Sequence, residues 1–370
     1  MADAKLTIQT IAVSHVRVPL PWPAAVSTFR IPAVDTCAIT LRTREGLSGI
    51  GWCAAFGAER CRALMAMVRD LFGVLINKDA ADTEENWAAM RQAASFVGRD
   101  GISAMAIAAL DTACWDIKAR AAGAPLWKLL GGDRREIPCY ASEGLWINAS
   151  EEELKTEAES FIGRGHAGMK LRVGLPSLGD DIARTAAVRG VIGPDATLMV
   201  DANQGWSVEE AKAACRELSA FDLEWIEEPV DHEDMRGCAD VAADTDTPIC
   251  QGETNWNSRG MHHLLVVGAA DVLMADLQRC SGITGWLKAA AIAKEFGVPI
   301  TPHLFHEVSA HLMSAAPHSI WCEHMPWWEP ILKEPMPLED GRLLLTDKPG
   351  IGIEWDEEAC RRYAPVAGGD

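Results

Sequence analysis

The sequence predicts an α/β protein, a closed (β/α) barrel of parallel strands preceded by an α+β domain and followed by a short tail. Three observations predict it. The first is length: 370 residues exceed one typical domain and suffice for a barrel with an accessory domain. The second is a ladder. From residue 196 to 323, short apolar runs close in turn on Asp201, Glu227, Glu253, Asp276, His303 and Glu323, at intervals of 26, 26, 23, 27 and 20 residues. Each run has strand length, and a βα unit takes roughly 25–30 residues. The third is that helical patterns fill the intervals, with Ser207-Val-Glu-Glu210 as a capping box in one of them.

The elements follow in order. Ile8, Ile11, Val13, Val16 and Val18 alternate as a first strand, and Cys37–Thr43 and Leu47–Cys53 flank Arg44-Glu-Gly46 as a hairpin. Between the first two strands, Pro19–Pro32 carries four prolines and is expected to be an irregular loop. Trp22 and Arg30 in that loop are candidate substrate contacts, and a second loop is expected at Gly51–Arg60. Residues 61–122 turn helical. Ala104–Arg120 is apolar nearly all round, so it is expected to lie buried between domains, and Gly123 and Pro125 stop it. Barrel units begin near Ile137-Pro-Cys-Tyr140, and the rhythm ends near Pro335. The chain therefore divides into residues 1–133 (α+β), 134–334 (barrel) and 335–370 (a tail expected to pack back on the first domain).

Composition excludes several classes of function. A net charge of −19 (34 basic against 53 acidic residues) argues against nucleic acid and against an anionic membrane. The start Met1-Ala-Asp-Ala-Lys5 has no apolar region of a signal peptide, and no apolar stretch reaches spanning length. The eleven cysteines are scattered, with no Cys-x-x-Cys, and read as reduced thiols of a cytoplasmic protein.

The ladder carries the chemistry. Parallel strands in a barrel bring their carboxyl ends to one mouth, where catalytic residues sit. One acid after a strand is an ordinary loop residue; six ionisable groups in register are not. Five unpaired carboxylates would repel, so a divalent cation is expected, with Asp201, Glu227 and Glu253 as adjacent oxygen ligands. Lys170 and Arg172 share one strand face and, facing inward, would point at the cation. Asp276 beside His303 would fix the imidazole tautomer and raise its basicity, which suits a general base. His306-Glu-Val-Ser-Ala-His311 lacks the i, i+4 spacing of a zinc helix, and His262-His263 reads as helix surface.

These residues carry a resemblance. The segments Ala113–Arg120, Leu129-Leu-Gly-Gly132, Val200–Trp206, Trp225-Ile-Glu-Glu-Pro229, Gln251-Gly-Glu253, Gly282–Trp286 and His303-Leu-Phe305, in this order, are similar to the enolase superfamily in its mandelate racemase subgroup. The resemblance implies a capping domain on a modified (β/α)7β TIM-type barrel, Mg²⁺ on Asp201, Glu227 and Glu253, an Asp276–His303 dyad, and a homo-oligomer. It also implies that Lys170 is the first lysine of a Lys-x-Lys motif and that Glu323 donates a hydrogen bond to the enolate. Ser142 and Asn203 match positions near the substrate carboxylate and hydroxyl. The departure is Arg172, where the subgroup usually has a second lysine acting as base; a guanidinium is a poor base. The function expected is Mg²⁺-dependent removal of the proton α to a carboxylate. Its outcome would be dehydration of a sugar acid to a 2-keto-3-deoxy acid, a one-base reaction. Racemisation of a 2-hydroxy acid is the alternative, and a barrel kept only for binding is a third reading that the intact ligand and dyad set disfavours.

Overall fold

The computed structural model describes residues 5–365, with residues 21–23 described in their backbone only. The Met1–Ala4 start and the Trp22 side chain lie outside the described residues. An antiparallel sheet opens the chain in the order β1 (Ile8–Ala25), β2 (Arg30–Thr43), β3 (Ser48–Ala55). Helices α1 (Ala58–Leu75), α2 (Thr83–Ala93), α3 (Ile102–Ala121) and α4 (Leu126–Leu129) follow.

Two expectations are corrected here. Pro19–Pro32 is mostly strand, because β1 and β2 form one long hairpin that turns only between Ala25 and Arg30. The prolines of β1 fit because it is an edge strand whose ladder shifts register between Pro19 and Ala24, where missing N–H groups cost little, and Pro32 lies on β2 ahead of Asp35, where pairing with β3 begins. The Gly51–Arg60 loop likewise shrinks to the two residues between β3 and α1.

α3 is buried along nearly its whole length, as its apolar circumference predicts. On one side it presses so closely on β3 that a Cβ on Gly51 would stand 2.0 Å from the Ala109 carbonyl oxygen. On the other it holds the barrel: Trp115 Nε1 donates to Thr284 Oγ1 at 2.9 Å, and Asp111 accepts from the Thr284 amide and hydroxyl at 2.8 and 2.7 Å.

The barrel alternates without interruption. β4 (Glu136–Ala141), α5 (Glu151–Gly163), β5 (Gly168–Arg172), α6 (Leu178–Ile192), β6 (Thr197–Asp201) and α7 (Val208–Leu218) form its first half. Then come β7 (Ile226–Glu227), α8 (Met235–Ala242), β8 (Ile249–Gln251), α9 (Asn257–Val266), β9 (Val272–Asp276), α10 (Ile283–Phe296), β10 (Ile300–His303), α11 (His306–Ala315) and β11 (Cys322–His324). Both capping boxes, Ser150/Glu153 and Ser207/Glu210, form at the starts of α5 and α7. β4 through β10 pair in parallel, β11 pairs with β4, and a parallel bridge between Ile300 and Ser319 closes the ring. Eight parallel strands with seven intervening helices make the (β/α)7β variant.

The segment after 334 packs on both bodies. β12 (Leu338–Glu339) and β13 (Arg342–Leu344) pair antiparallel, and β13 extends the barrel sheet along β4. The indole of Trp355 reaches the first domain, donating to the Ile39 carbonyl and meeting Trp52 edge-on, and α12 (Glu357–Arg362) follows. Among the described residues, no helix is long and apolar enough to cross a membrane.

Candidate active site

Strand register assembles the mouth. Arg172 lies level with Asp201, Asp201 with Glu227, and Asp276 with His303, so the ladder becomes an arc of side chains. Glu253 stands two residues beyond β8, after Gly252, which takes a positive φ (129°) with the Met274 carbonyl close behind it.

Lys170 is the hub. Its Nζ lies 2.6 Å from Glu227 Oε1, 2.9 Å from Glu323 Oε1 and 3.4 Å from Asp201 Oδ2, fully buried. Burial opposes its charge, but Glu227 and Glu323 outweigh burial, and its pKa stands well above the ordinary lysine value. Asp201 is oriented by Asn203, whose backbone and side-chain nitrogens donate to its two oxygens at 2.8 and 2.9 Å. Glu227 Oε2 accepts from Trp225 Nε1 at 3.0 Å. Burial drives the Glu227 pKa well up despite Lys170, and burial carries Glu253 to about 7. Glu253 Oε2 is buried with no hydrogen-bond partner. Three oxygen donors on adjacent strands, one of them unpartnered and two held back from ionising by burial, are a donor set suited to a hard divalent cation.

His303 and Asp276 form the expected pair, Nδ1 to Oδ2 at 2.7 Å. The other Asp276 oxygen accepts from the Arg279 amide at 2.7 Å, which leaves His303 Nε2 turned toward Glu253 Oε2 at 3.4 Å. Burial opposes charge on the ring, but Glu253 and Asp276 raise its pKa to about 9.

Glu323 is surrounded by donors. Ser142 Oγ and the Leu304 amide each donate to it at 2.7 Å. Burial pushes its pKa up, but Lys170, His303 and Arg172 together hold it far below the carboxylate range. In this arrangement Glu323 accepts hydrogen bonds from Ser142 and Leu304 and lies 2.9 Å from the Lys170 Nζ.

Arg172 faces the same cluster but is engaged. Nη1 donates to the Ser142 and Gly144 carbonyls at 2.7 and 3.0 Å, Nη2 donates to Ser142 Oγ at 2.8 Å, and the guanidinium sits 4.2 Å over the Trp146 ring. Arg30 is not drawn into the cluster: it is exposed at the foot of the hairpin turn. Ser27 takes that place, its hydroxyl donating to the Ala202 carbonyl at 2.7 Å and sitting 3.1 Å from the Asn203 carbonyl. The hairpin tip is thus seated on the mouth beside Asp201, and Phe29 meets Phe56 from the next cap loop at 5.6 Å.

The backbone is strained around these residues. Asn203, Gln204, Glu228, Leu304 and Phe305 all have φ between 37° and 63°. Non-glycine residues in this region cost roughly 1–3 kcal/mol each and gather at functional sites.

With this geometry in place, comparison with known proteins is decisive. The profile described as "Mandelate racemase / muconate lactonizing enzyme, N-terminal domain" matches residues 8–131, and "Enolase C-terminal domain-like" matches residues 153–359. The chain belongs to the mandelate racemase / muconate lactonizing enzyme family.

Within that family it is 35% identical to the L-talarate/galactarate dehydratase of Salmonella typhimurium over 360 residues, covering 96% of this chain and 90% of that one. It is 33% identical to the 3,6-anhydro-alpha-L-galactonate cycloisomerase of Streptomyces coelicolor, over 96% of this chain and 99% of that one. The Salmonella dehydratase, solved with Mg and L-lyxarohydroxamate, superposes with a TM-score of 0.94 at 33% identity, over 99% of this chain and 94% of that one. Ser27, Trp225 and Arg279 were absent from the residues expected in a family site. Trp225 was discoverable, since alternation places it on the Glu227 face; Ser27 depends on where a hairpin tip lands and leaves no local signal.

Proposed function

We propose that the protein is a Mg²⁺-dependent hydro-lyase that dehydrates a sugar acid to a 2-keto-3-deoxy acid. The observation that carries this reading is a mouth with one mobile-proton base. His303 is held by Asp276 and open at Nε2, whereas the guanidinium of Arg172 is committed to two carbonyls and Ser142. Family membership and the dehydratase relative support the same reaction.

Asp201, Glu227 and Glu253 would hold Mg²⁺, which when bound supplies Lewis-acid stabilisation of the charge developing on the substrate carboxylate. The chain's own residues do the rest. Lys170 keeps a fixed positive charge at the same place. Asp276 holds the His303 Nδ1 proton, and with a cation neutralising Glu253, the carboxylate that most raises the ring's pKa, Nε2 would be left to take the α-proton. The imidazolium then returns that proton to the departing β-hydroxyl, water leaves, and the enol product tautomerises to the keto acid. Ser142 and Glu323, locked together at 2.7 Å, and Asn203 beside Asp201 line the space a hydroxy acid would fill. The hairpin tip, fixed by Ser27, excludes water from it. A two-base racemase would need Arg172 to release a proton, against the geometry around it.

The eleven unpaired cysteines favour a cytoplasmic location. A homo-oligomer belongs to the same proposal and is checked by light scattering. The deciding experiment incubates the protein with Mg²⁺ and a panel of aldarates and aldonates, including L-talarate and galactarate, in D₂O. Keto acid formation is expected; α-proton exchange or epimerisation with no keto acid from any of them would end the dehydratase reading.

A further inference from the structure

A second group of ligating side chains lies outside the mouth. His324 follows Glu323 on β11, and alternation turns it away from Lys170. Its ring lies 4.9 Å from that of His306, at the start of α11, and 5.4 Å from that of His166, just before β5. The Glu329 carboxylate stands 3.8 Å from His324 Nε2, and Glu307 stands 3.7 Å from His306 Nε2. One ligand atom from each of His306, His324 and Glu329 falls within 4.8 Å of the others. Ligands of a tetrahedral site with bonds of about 2.0–2.1 Å sit roughly 3.4 Å apart, so a small contraction closes this one.

The satisfaction of these groups is what needs explaining. His306 is 0% and His324 4% exposed. No ring nitrogen of His324 or His166 has a hydrogen-bond partner, and the ring of His306 and the carboxylate of Glu307 find none of good geometry, their nearest being the Met325 backbone and the backbone of Glu307 itself. Each buried polar atom left so costs about 1–3 kcal/mol. One nitrogen from each of the His306 and His324 rings lies within 4.8 Å of the other and of a Glu329 oxygen, so these three atoms can share one partner that is not protein.

We propose that His306, His324 and Glu329 bind a second divalent cation, of the borderline class that takes imidazole (Zn²⁺, Co²⁺ or Ni²⁺), distinct from the Mg²⁺ of the mouth. Two imidazoles with one carboxylate select such ions over Mg²⁺, which takes oxygen. Glu329, one-third exposed, provides the way in from solvent. Glu307 lies 3.7 Å from His306 Nε2 and would serve as an outer partner that orients the ring. The cation would tie α11 and β11 to the turn at residues 329–331, behind the wall that carries Glu323.

The test loads the intact protein with Co²⁺, dialyses it against excess Mg²⁺, and measures retained Co²⁺ by elemental analysis and visible absorption. One equivalent per chain is expected to survive Mg²⁺, with the visible bands of a nitrogen-ligated, low-coordinate site. Glu329→Gln, at a partly exposed position, should weaken retention without changing Mg²⁺-supported turnover. His324→Gln should weaken it more than about 100-fold, since even outer partners are worth 10–100-fold. Retention of no Co²⁺ in excess Mg²⁺ would overturn the proposal and assign the cluster to buried water. Equal retention in wild type and both variants would overturn it too. Because the readout is the Mg²⁺-resistant equivalent, it stands whether or not the mouth performs dehydration.

Discussion

Replacing Arg172 by Met separates the one-base from the two-base mechanism. The side chain makes three close hydrogen bonds from a charged group, at 2.7, 3.0 and 2.8 Å, and a longer one to the Lys170 carbonyl at 3.4 Å, and stacks on Trp146. Such bonds contribute about 1.5–3 kcal/mol each, but they share one group and do not add fully. Removing one partner of a buried charged network costs about 3–5 kcal/mol, and that range is expected for the loss of stability, read as a lower urea midpoint. The rate should fall as well. Ser142 Oγ loses the donor that orients it, and Glu323 loses one of the cations that keep it ionised. A decrease of about 10–100-fold in kcat is expected, typical of groups that orient catalytic residues. The Asp276–His303 hydrogen bond does not involve Arg172 or Ser142, so exchange of the α-proton with D₂O, followed by proton NMR, should remain detectable in Arg172→Met and vanish in His303→Asn. A folded Arg172→Met protein that exchanges nothing, or a His303→Asn protein that still exchanges one enantiomer, would refute the reasoning and return the enzyme to a two-base racemase.

Other perturbations have equally definite outcomes. Ser27→Ala removes the hydroxyl that seats the hairpin on Ala202 and Asn203; at about 1 kcal/mol for the lost bonding, KM should rise about fivefold with little change in Tm. Gly51→Ala places a methyl 2.0 Å from a backbone oxygen of α3 that has nowhere to go, and should cost about 3 kcal/mol in a denaturant titration. Asp111, raised to about 7 by burial, contributes stability that is complete below its unfolded pKa of about 3.9 and is lost as pH rises through 7. Stability of Asp111→Asn relative to wild type should therefore climb between pH 4 and 7 by up to about 4 kcal/mol and then level off; a difference independent of pH would show that Asp111 does not titrate in that window.

The mouth was legible in the sequence because a parallel barrel imposes a rule: whatever closes each strand meets whatever closes the next. Asp201, Glu227, Asp276 and His303 obey it through register alone. Charge state was not legible. The resemblance gives Glu323 the role of a donor, which needs a proton, and nothing in the sequence locates the groups that bear on that proton: the Lys170 ammonium 2.9 Å away and the Ser142 hydroxyl and Leu304 amide that donate to it. Arg172 was legible as an inward cation and not as one bound to the Ser142 and Gly144 carbonyls, because those acceptors belong to a loop whose path composition does not encode. The prolines between residues 19 and 32 misled because the penalty for proline in a strand assumes a central strand, and β1 lies at an edge. The His306–His324–Glu329 group left no spacing signature, since its members come from a helix, a strand and a turn.

The bridging of Ile300 to Ser319 and of β11 to β4 has a further consequence, in time. Cys139 pairs with Cys322, 183 residues later, so the ring cannot close until almost the whole chain exists. The first domain waits as well: the Arg17 amide donates to the Tyr363 carbonyl at 2.8 Å, and Trp52 gains its neighbours Trp328 and Trp355 from about 300 residues later in the chain. Contacts at such separation are slow to form and leave apolar surface uncovered meanwhile. During synthesis at about 5–20 residues per second, the cap sheet emerges before the barrel and stays incomplete until Trp328, Trp355 and Tyr363 have been made. Losing as little as the segment from Trp355 onward should therefore strand both domains, although no residue expected at the mouth lies within it.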